Sequence, residues 1–218
     1  MTRRAARAGA SVGGLLLTLA ACAPSPPSAE PTGTGGSGAR SAAIDVDTPA
    51  LRAAKKAAGI ADCPAPGRTG SDAALVADGL PDATLPCFGG GRDVRLADLR
   101  GPLVLNVWAS YCAPCRTEMP LLEQFHRRYG AKVGLIGVDF QDPQTGSAMQ
   151  LATRSEVTYP LVADVDGLFA SAERARVIGL PTTILVDADG RVVRTEAVEI
   201  TSVEQLADLV RRYLGVDL

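Results

Sequence analysis

The chain has 218 residues, 46% of them hydrophobic and 21% charged, which is the balance of a soluble globular protein: one domain of ordinary size plus appendages. Its formal net charge is −2, and without Arg3, Arg4 and Arg7 the body carries 19 basic against 24 acidic residues, an acidic balance with no basic stripe that argues against nucleic-acid binding. His126 is the single histidine, so His-rich metal sites and Ser-His-Asp or Cys-His catalysis have little support.

The first segment, "MTRRAARAGASVGGLLLTLAAC", has a basic start followed by an apolar core of roughly 10 residues, short of the ~20 needed to cross a bilayer. It fits a secretory signal over residues 1–21 better than a membrane span. Its end, Leu19-Ala20-Ala21-Cys22, resembles a bacterial lipobox, which implies lipidation of Cys22 as the first mature residue; an ordinary cleaved signal with a chance cysteine is the alternative. Several acyl chains would anchor the protein stably where one would not. Residues 22–47 are rich in Pro, Ser and Gly and read as a flexible tether. The Pro/Ser/Gly stretch after Cys22 would have a typical span of roughly 25 Å. Residues 48–79 form an extension that begins with helical composition, "TPALRAAKKAAG", with Pro49 suited to a first turn and Gly59 to an ending. That helix either docks on the domain or floats free.

Residues 80–218 carry the body. "PLVLNVWA" (102–109) reads as a strand buried on both faces. "CRTEMPLLEQFHRRYG" follows as a helix with Leu121, Leu122 and Phe125 on its apolar face and Gly130 at its end; Pro120 removes a backbone donor inside it and should kink it. "KVGLIGVDF" (132–140) is a second buried strand, and "PQTGSAMQLATRSE" (143–156) a weaker helix interrupted by Gly146. "TTILVDADGRVVRTEAV" reads as a hairpin around Asp187-Ala188-Asp189-Gly190. "TSVEQLADLVRRYLG" closes the chain as a helix, with Thr201 and Glu204 in a capping-box pattern and an apolar stripe through Leu206, Leu209, Val210, Tyr213 and Leu214. This order predicts an α/β fold with a central mixed β-sheet and helices on both faces, the strand before Cys112 lying in its middle.

Chemistry concentrates at "WASYCAPCRTEMP". Cys112 falls where a strand ends and a helix begins; the free N–H groups of a helix start favour a thiolate there, which is the attacking species in disulfide exchange. Cys115, one turn later, can resolve a mixed disulfide. Zinc would need four ligands, and only Cys22, Cys63 and Cys87 remain besides this pair. Inert core cysteines are the other alternative, which export past a membrane disfavours. Cys63 and Cys87 lie in Pro/Gly-rich stretches ahead of the core motifs and are expected to form a structural disulfide, contributing on the order of 3 kcal/mol in the chain-entropy model. A second redox relay or two free thiols are the competing readings.

"LNVWASYCAPCRTEMP" and "GLPTTILVDADGRV" together resemble the thioredoxin superfamily, specifically its exported TlpA/ResA-like branch, over roughly residues 80–215. The resemblance implies a thioredoxin-like fold, an exposed Cys112, a more buried Cys115 and a cis Leu180-Pro181 peptide facing them. It implies that the backbone before Pro181 pairs with the substrate chain as an added strand. Asn106 stands where many cytoplasmic thioredoxins place a buried Asp. Glu118 matches a glutamate that this branch holds near its cysteines; it either sets the Cys115 pKa and shuttles its proton or is a solvated first-turn carboxylate. Tyr111 lines the substrate approach or packs at the active-site turn, and Trp108 packs there; His126 reads as a surface or boundary residue.

The reading is a lipid-anchored, extracytoplasmic thiol–disulfide oxidoreductase that reduces exported proteins and needs no metal or organic cofactor. The family favours reduction, often of apocytochrome c, with electrons from an integral membrane thiol carrier. A thiol peroxidase is the enzymatic rival, disfavoured by Ala109 where such enzymes carry Thr or Ser. A non-catalytic binding or chaperone lipoprotein with the same fold is the alternative from another class.

Overall fold

The structure, a computed structural model, describes residues 44–65 and 75–218. The signal segment, Cys22 and all but the end of the tether lie outside the described residues.

The described chain opens with α1 (Pro49–Ala58), which starts where composition places it. Thr48 Oγ1 accepts the N–H of Leu51, Pro49 occupies the first turn, and Gly59 closes the helix in the left-handed region at φ 72°. Its inner face does not float: Leu51 and Lys55 are buried, and α1 packs against α3 (Thr145–Arg154).

Five strands make the central sheet: β3 (Leu103–Trp108), β4 (Gly134–Phe140), β5 (Leu161–Asp164), β6 (Thr182–Val186) and β7 (Val192–Glu196). Their order is β5-β4-β3-β6-β7, with β3–β4 and β4–β5 parallel and β3–β6 and β6–β7 antiparallel. β3 is therefore central, and all six of its residues are buried, as a continuous apolar run requires. A short antiparallel pair, β1 (Thr84–Leu85) and β2 (Val94–Arg95), precedes it. β1, β2 and β5 are strands that the sequence reading left out; the first two are two residues each, and "LVAD" is too short and too plain to separate from a loop.

Alternation along the strands sorts the core into two. On one face, Val104, Trp108, Leu135, Leu161, Ala163 and Leu185 meet α1, α2 (Ala113–Tyr129), α3 and α4 (Val203–Leu214). On the other, Leu105, Val107, Val138, Val162 and Ile184 meet the β1–β2 hairpin and two 3-10 turns, Leu96–Asp98 and Leu168–Ala170. The α-helical layer is thus one-sided, because two successive right-handed crossovers, β3-α2-β4 and β4-α3-β5, step in the same direction. The free edge of β5 is covered by residues 86–88, through Ala163 N–H to Pro86 O at 3.0 Å and Phe88 N–H to Leu161 O at 2.9 Å.

One local reading changes and one is kept. The last helix is capped by Ser202, not by the Thr201/Glu204 pair. Ser202 is extended (φ −156°, ψ 156°) and its Oγ accepts the N–H of Gln205 at 3.1 Å, while Gln205 Oε1 accepts the N–H of Thr201 at 2.7 Å. The same box pattern exists one residue on, and choosing it lets Val203 start the helix against the core. The turn between β6 and β7 is built as read: Asp187 Oδ1 accepts the N–H groups of Asp189 and Arg191, and Gly190 takes φ 89°.

Candidate functional site

Where β3 ends, the chain turns through Ala109–Tyr111 and enters α2. Cys112 is the N-cap: its backbone is extended (φ −78°, ψ 114°) and its Sγ accepts the N–H of Cys115 at 3.2 Å. Ala113 and Pro114 fill the first turn, Pro114 at a position where no N–H is needed. Cys112 and Cys115 are joined as a disulfide, S–S 2.03 Å. Cys112 is 8% exposed and Cys115 fully buried, so an attacker arriving from solvent meets Cys112 first.

The turn is held from the loop after β4 and from α2. Asp142 Oδ2 accepts the Ser110 N–H at 2.6 Å, and Arg116 Nη1 donates to Ser110 O at 3.0 Å. Asp139, opposite Trp108 in the β3–β4 register, is buried, and burial followed by the charge of Asp142 pushes its carboxyl well above the usual range. Burial and the same two carboxylates also raise the Tyr111 phenol, although that side chain is half exposed. Neither Asp142 nor Asp139 was singled out in the sequence, since both act across the strand-to-loop junction about 30 residues beyond the cysteines.

Glu118 lies one turn after Cys115 and is fully buried, which removes the reading of a solvated first-turn carboxylate. Its partners are not the cysteines. Oε1 accepts from Asn106 Nδ2 at 2.6 Å and Oε2 accepts the Ile200 N–H at 2.8 Å. Burial raises its pKa to about 7, against the pull of these two donors, with the charge of Glu199 adding a further rise. Asn106 Oδ1 has no partner. Rotating that amide would let it accept from a protonated Glu118, so Asn106 can serve either protonation state of the acid.

Leu180-Pro181 is a cis peptide immediately before β6. The antiparallel register pairs Val107 with Thr182, so Pro181 comes beside the end of β3 from which the cysteine turn departs. Leu180 is half-buried, while Ile178, two residues earlier, is 79% exposed and, with Tyr111 at 52%, stands among the few large exposed apolar side chains of the described residues. Ile178 escaped the sequence reading because a single isoleucine in a loop carries no pattern. His126 is half-buried, edge-on to Tyr159 at 5.7 Å. α2 runs unbroken past Pro120.

Cys63 and Cys87 are bridged, S–S 2.01 Å, and belong to the core on the opposite face of the sheet from Cys112 and Cys115.

A model of the AhpC/TSA family matches residues 76–195, more than half of the chain. The chain belongs to the AhpC/TSA family. Within it the chain is similar to the thiol-disulfide oxidoreductase ResA of Halalkalibacterium halodurans, 31% identical over 125 residues that make up 56% of this chain and 69% of that one. It is also 32% identical over 113 residues to the thioredoxin-like protein YneN of Bacillus subtilis, covering 50% of this chain and 64% of the relative, just under two thirds of its length. Among solved structures, a candidate thiol:disulfide interchange protein DsbE from Chlorobium tepidum matches with a TM-score of 0.55 and 30% identity, over 63% of this chain and 96% of that one. This AhpC/TSA member is thus a thioredoxin-like thiol–disulfide oxidoreductase of the ResA and DsbE type.

Proposed function

We propose that this oxidoreductase works outside the cytoplasm, tethered to the membrane through lipidated Cys22, and reduces disulfides in exported proteins. The observation that carries the reading is the asymmetric pair at the start of α2, with Cys112 at the helix cap and Cys115 buried behind it. After reduction, the Cys115 N–H and the helix dipole favour a thiolate on Cys112. That thiolate attacks one sulfur of the client disulfide; a client thiolate leaves, and a Cys112–client mixed disulfide forms. Cys115 then loses its proton, attacks Cys112 Sγ and expels the second client thiolate. Two electrons pass to the client while the CxxC pair closes; the Cys115 proton stays on the acceptor that removed it, and the two client thiolates take up protons from solvent.

Glu118 is the group that takes up the Cys115 proton. Burial raises its pKa to about 7, and Asn106 accommodates both of its states. The client chain lies along the backbone before Pro181, where Leu180, and Tyr111 beside the cysteines, supply its contacts. A membrane thiol carrier returns the electrons, and apocytochrome c is one client of suitable chemistry. No metal or organic cofactor takes part.

Equilibrating the full chain with glutathione or dithiothreitol buffers tests the assignment. A reversible two-electron couple at or below about −250 mV marks a reductant, and one near −120 mV an oxidant. Absence of any couple overturns the enzymatic reading. Mass spectrometry of the mature N-terminus tests the anchor; an unmodified residue other than Cys22 overturns it.

A further inference from the structure

On the opposite side of the sheet's β5 edge, the second pair of sulfurs sits beside a buried cation. Lys55, on the inner face of α1, is 4% exposed. Its Nζ donates to Gly90 O at 2.7 Å and to Cys87 Sγ at 3.1 Å. The remaining partner is weak: Asp62 Oδ1 stands 3.7 Å away on a side chain 93% exposed. Asp47 is committed to Arg52 through two bonds of 2.6 Å.

A buried ammonium is tolerated when it is paired with an anion and fully hydrogen-bonded. A disulfide sulfur is neutral and a weak acceptor, so in the bridged state Lys55 is short of negative charge. Opening the S–S bond would place a thiolate at the same 3.1 Å contact and supply that charge. The approach to the bridge is on the Cys63 side, where the neighbouring Ala61, Asp62 and Ala65 are exposed, whereas backbone closes tightly over Cys87. Gly89, Gly90 and Gly91 all have positive φ, and a Cβ at Gly91 would sit 3.1 Å from Cys87 Sγ. With Arg52, Lys56 and Asp62 these glycines line an open cleft of about 450 Å³ against Lys55, and neither cysteine lines it.

We propose that Cys63–Cys87 is a second thiol–disulfide exchange centre, opened by small dithiols, in which Cys87 is the leaving sulfur and Lys55 its counter-ion. One thiolate of the dithiol attacks Cys63 Sγ, the less buried of the two at 7% exposed against 2%. The S–S bond breaks and Cys87 departs as a thiolate held by Lys55. The dithiol's second thiolate then attacks its own sulfur in the mixed disulfide, closes a cyclic disulfide and releases Cys63. Two electrons pass from the dithiol to the pair. Of the dithiol's two protons, one ends on Cys63 and one in solvent, while Cys87 stays ionised. The chemistry is independent of the Cys112–Cys115 reading.

The test exposes the folded full-length chain to dithiothreitol, quenches with acid, alkylates differentially and counts Cys63 and Cys87 separately from Cys112 and Cys115 by tryptic mass spectrometry. Global unfolding is followed in parallel by far-ultraviolet circular dichroism. The pair is expected to open well ahead of unfolding, and the released Cys87 to alkylate with a midpoint below the ordinary thiol value of about 8.5. Lys55→Met leaves Asp62, Arg52 and Lys56 in place; it slows opening about tenfold, because a leaving thiol of higher pKa departs more slowly. It also moves the alkylation midpoint upward. Lys55→Arg keeps the cation and stays near the parent rate, which separates charge from packing. Opening only at the rate of global unfolding overturns the proposal, as does a Lys55→Met variant that opens as fast as the parent. Because the Cys112–Cys115 peptide is read in the same samples, a silent CxxC pair and a silent second pair are told apart.

Discussion

Glu118 and Asn106 face each other in the sealed layer between α2 and β3, the carboxylate accepting from the amide at 2.6 Å with neither side chain reaching solvent. An acid in that position is held near its protonated state, and its titration is tied to folding. With its folded pKa raised to about 7 by burial, the folded protein binds a proton that the unfolded chain has released. The stabilisation is fully present below the ordinary glutamate range and is lost as pH rises through about 7.

Glu118→Gln is the first consequence. Glutamine copies the protonated acid and cannot titrate, so the variant should lack the decline in stability between about pH 5 and pH 8, worth on the order of 3 kcal/mol. Urea unfolding at both pH values, with the Cys112–Cys115 pair kept oxidised, reads this directly. Equal pH slopes in parent and variant would sink the assignment of that titration to Glu118.

Asn106→Asp puts a second carboxyl where the amide was, at nearly unchanged volume. Two carboxyls in contact in a buried site cannot both ionise, so one pKa of the pair rises strongly. The variant should lose little stability at pH 5 and several kcal/mol at pH 8. If the penalty were the same at both pH values, the amide would be serving packing alone.

Strand and helix positions were legible because patterning is strong in this chain: "PLVLNVWA" is β3 within two residues, and the α2 boundary follows from Cys112-Ala113-Pro114. The positions of Cys112 and Cys115 could be read for the same reason, since a strand-to-helix junction is a local signal. Other features were not local. Glu118 takes one of its two hydrogen bonds from Ile200, 82 residues away, and the Ser110 turn is fixed by Asp142, 32 residues away. The layer to which α3 belongs follows from crossover handedness and strand order, which require β5, and "LVAD" gave no warning that it is a strand. The cap of α4 slipped by one because two overlapping box patterns occur in "TSVEQ" and only packing selects between them.

Ser202→Ala tests that selection. Removing the hydroxyl that accepts the Gln205 N–H should cost about 1 kcal/mol. Glu204→Ala should cost well under that, since Glu204 is exposed and its ion pair with Arg128 spans 3.7 Å at the surface. Denaturation midpoints at constant m rank the two; the reverse order would restore the Thr201/Glu204 box.

Tyr111 and Ile178 expose apolar surface without a packing role to justify it. Alanine at both should leave stability within about 0.5 kcal/mol of the parent. Client turnover should fall mainly through KM, since uniform binding is what such contacts supply. A double variant with unchanged kinetics on a folded disulfide client would remove both from the docking surface.

The order of attack gives the last prediction. Cys112 is the more exposed sulfur and sits at the helix cap, whereas Cys115 is sealed at 0% exposure beneath it. Cys115→Ser should therefore leave a reactive thiol that captures clients and cannot release them, accumulating a mixed disulfide through Cys112. Cys112→Ser should accumulate none, because the remaining thiol is out of a client's reach. Non-reducing electrophoresis followed by mass spectrometry of the linked peptides distinguishes the outcomes. Adducts on Cys115 in the Cys112→Ser chain, at the level expected for Cys115→Ser, would mean that burial does not set the order and that the pair is reached by opening of α2's first turn.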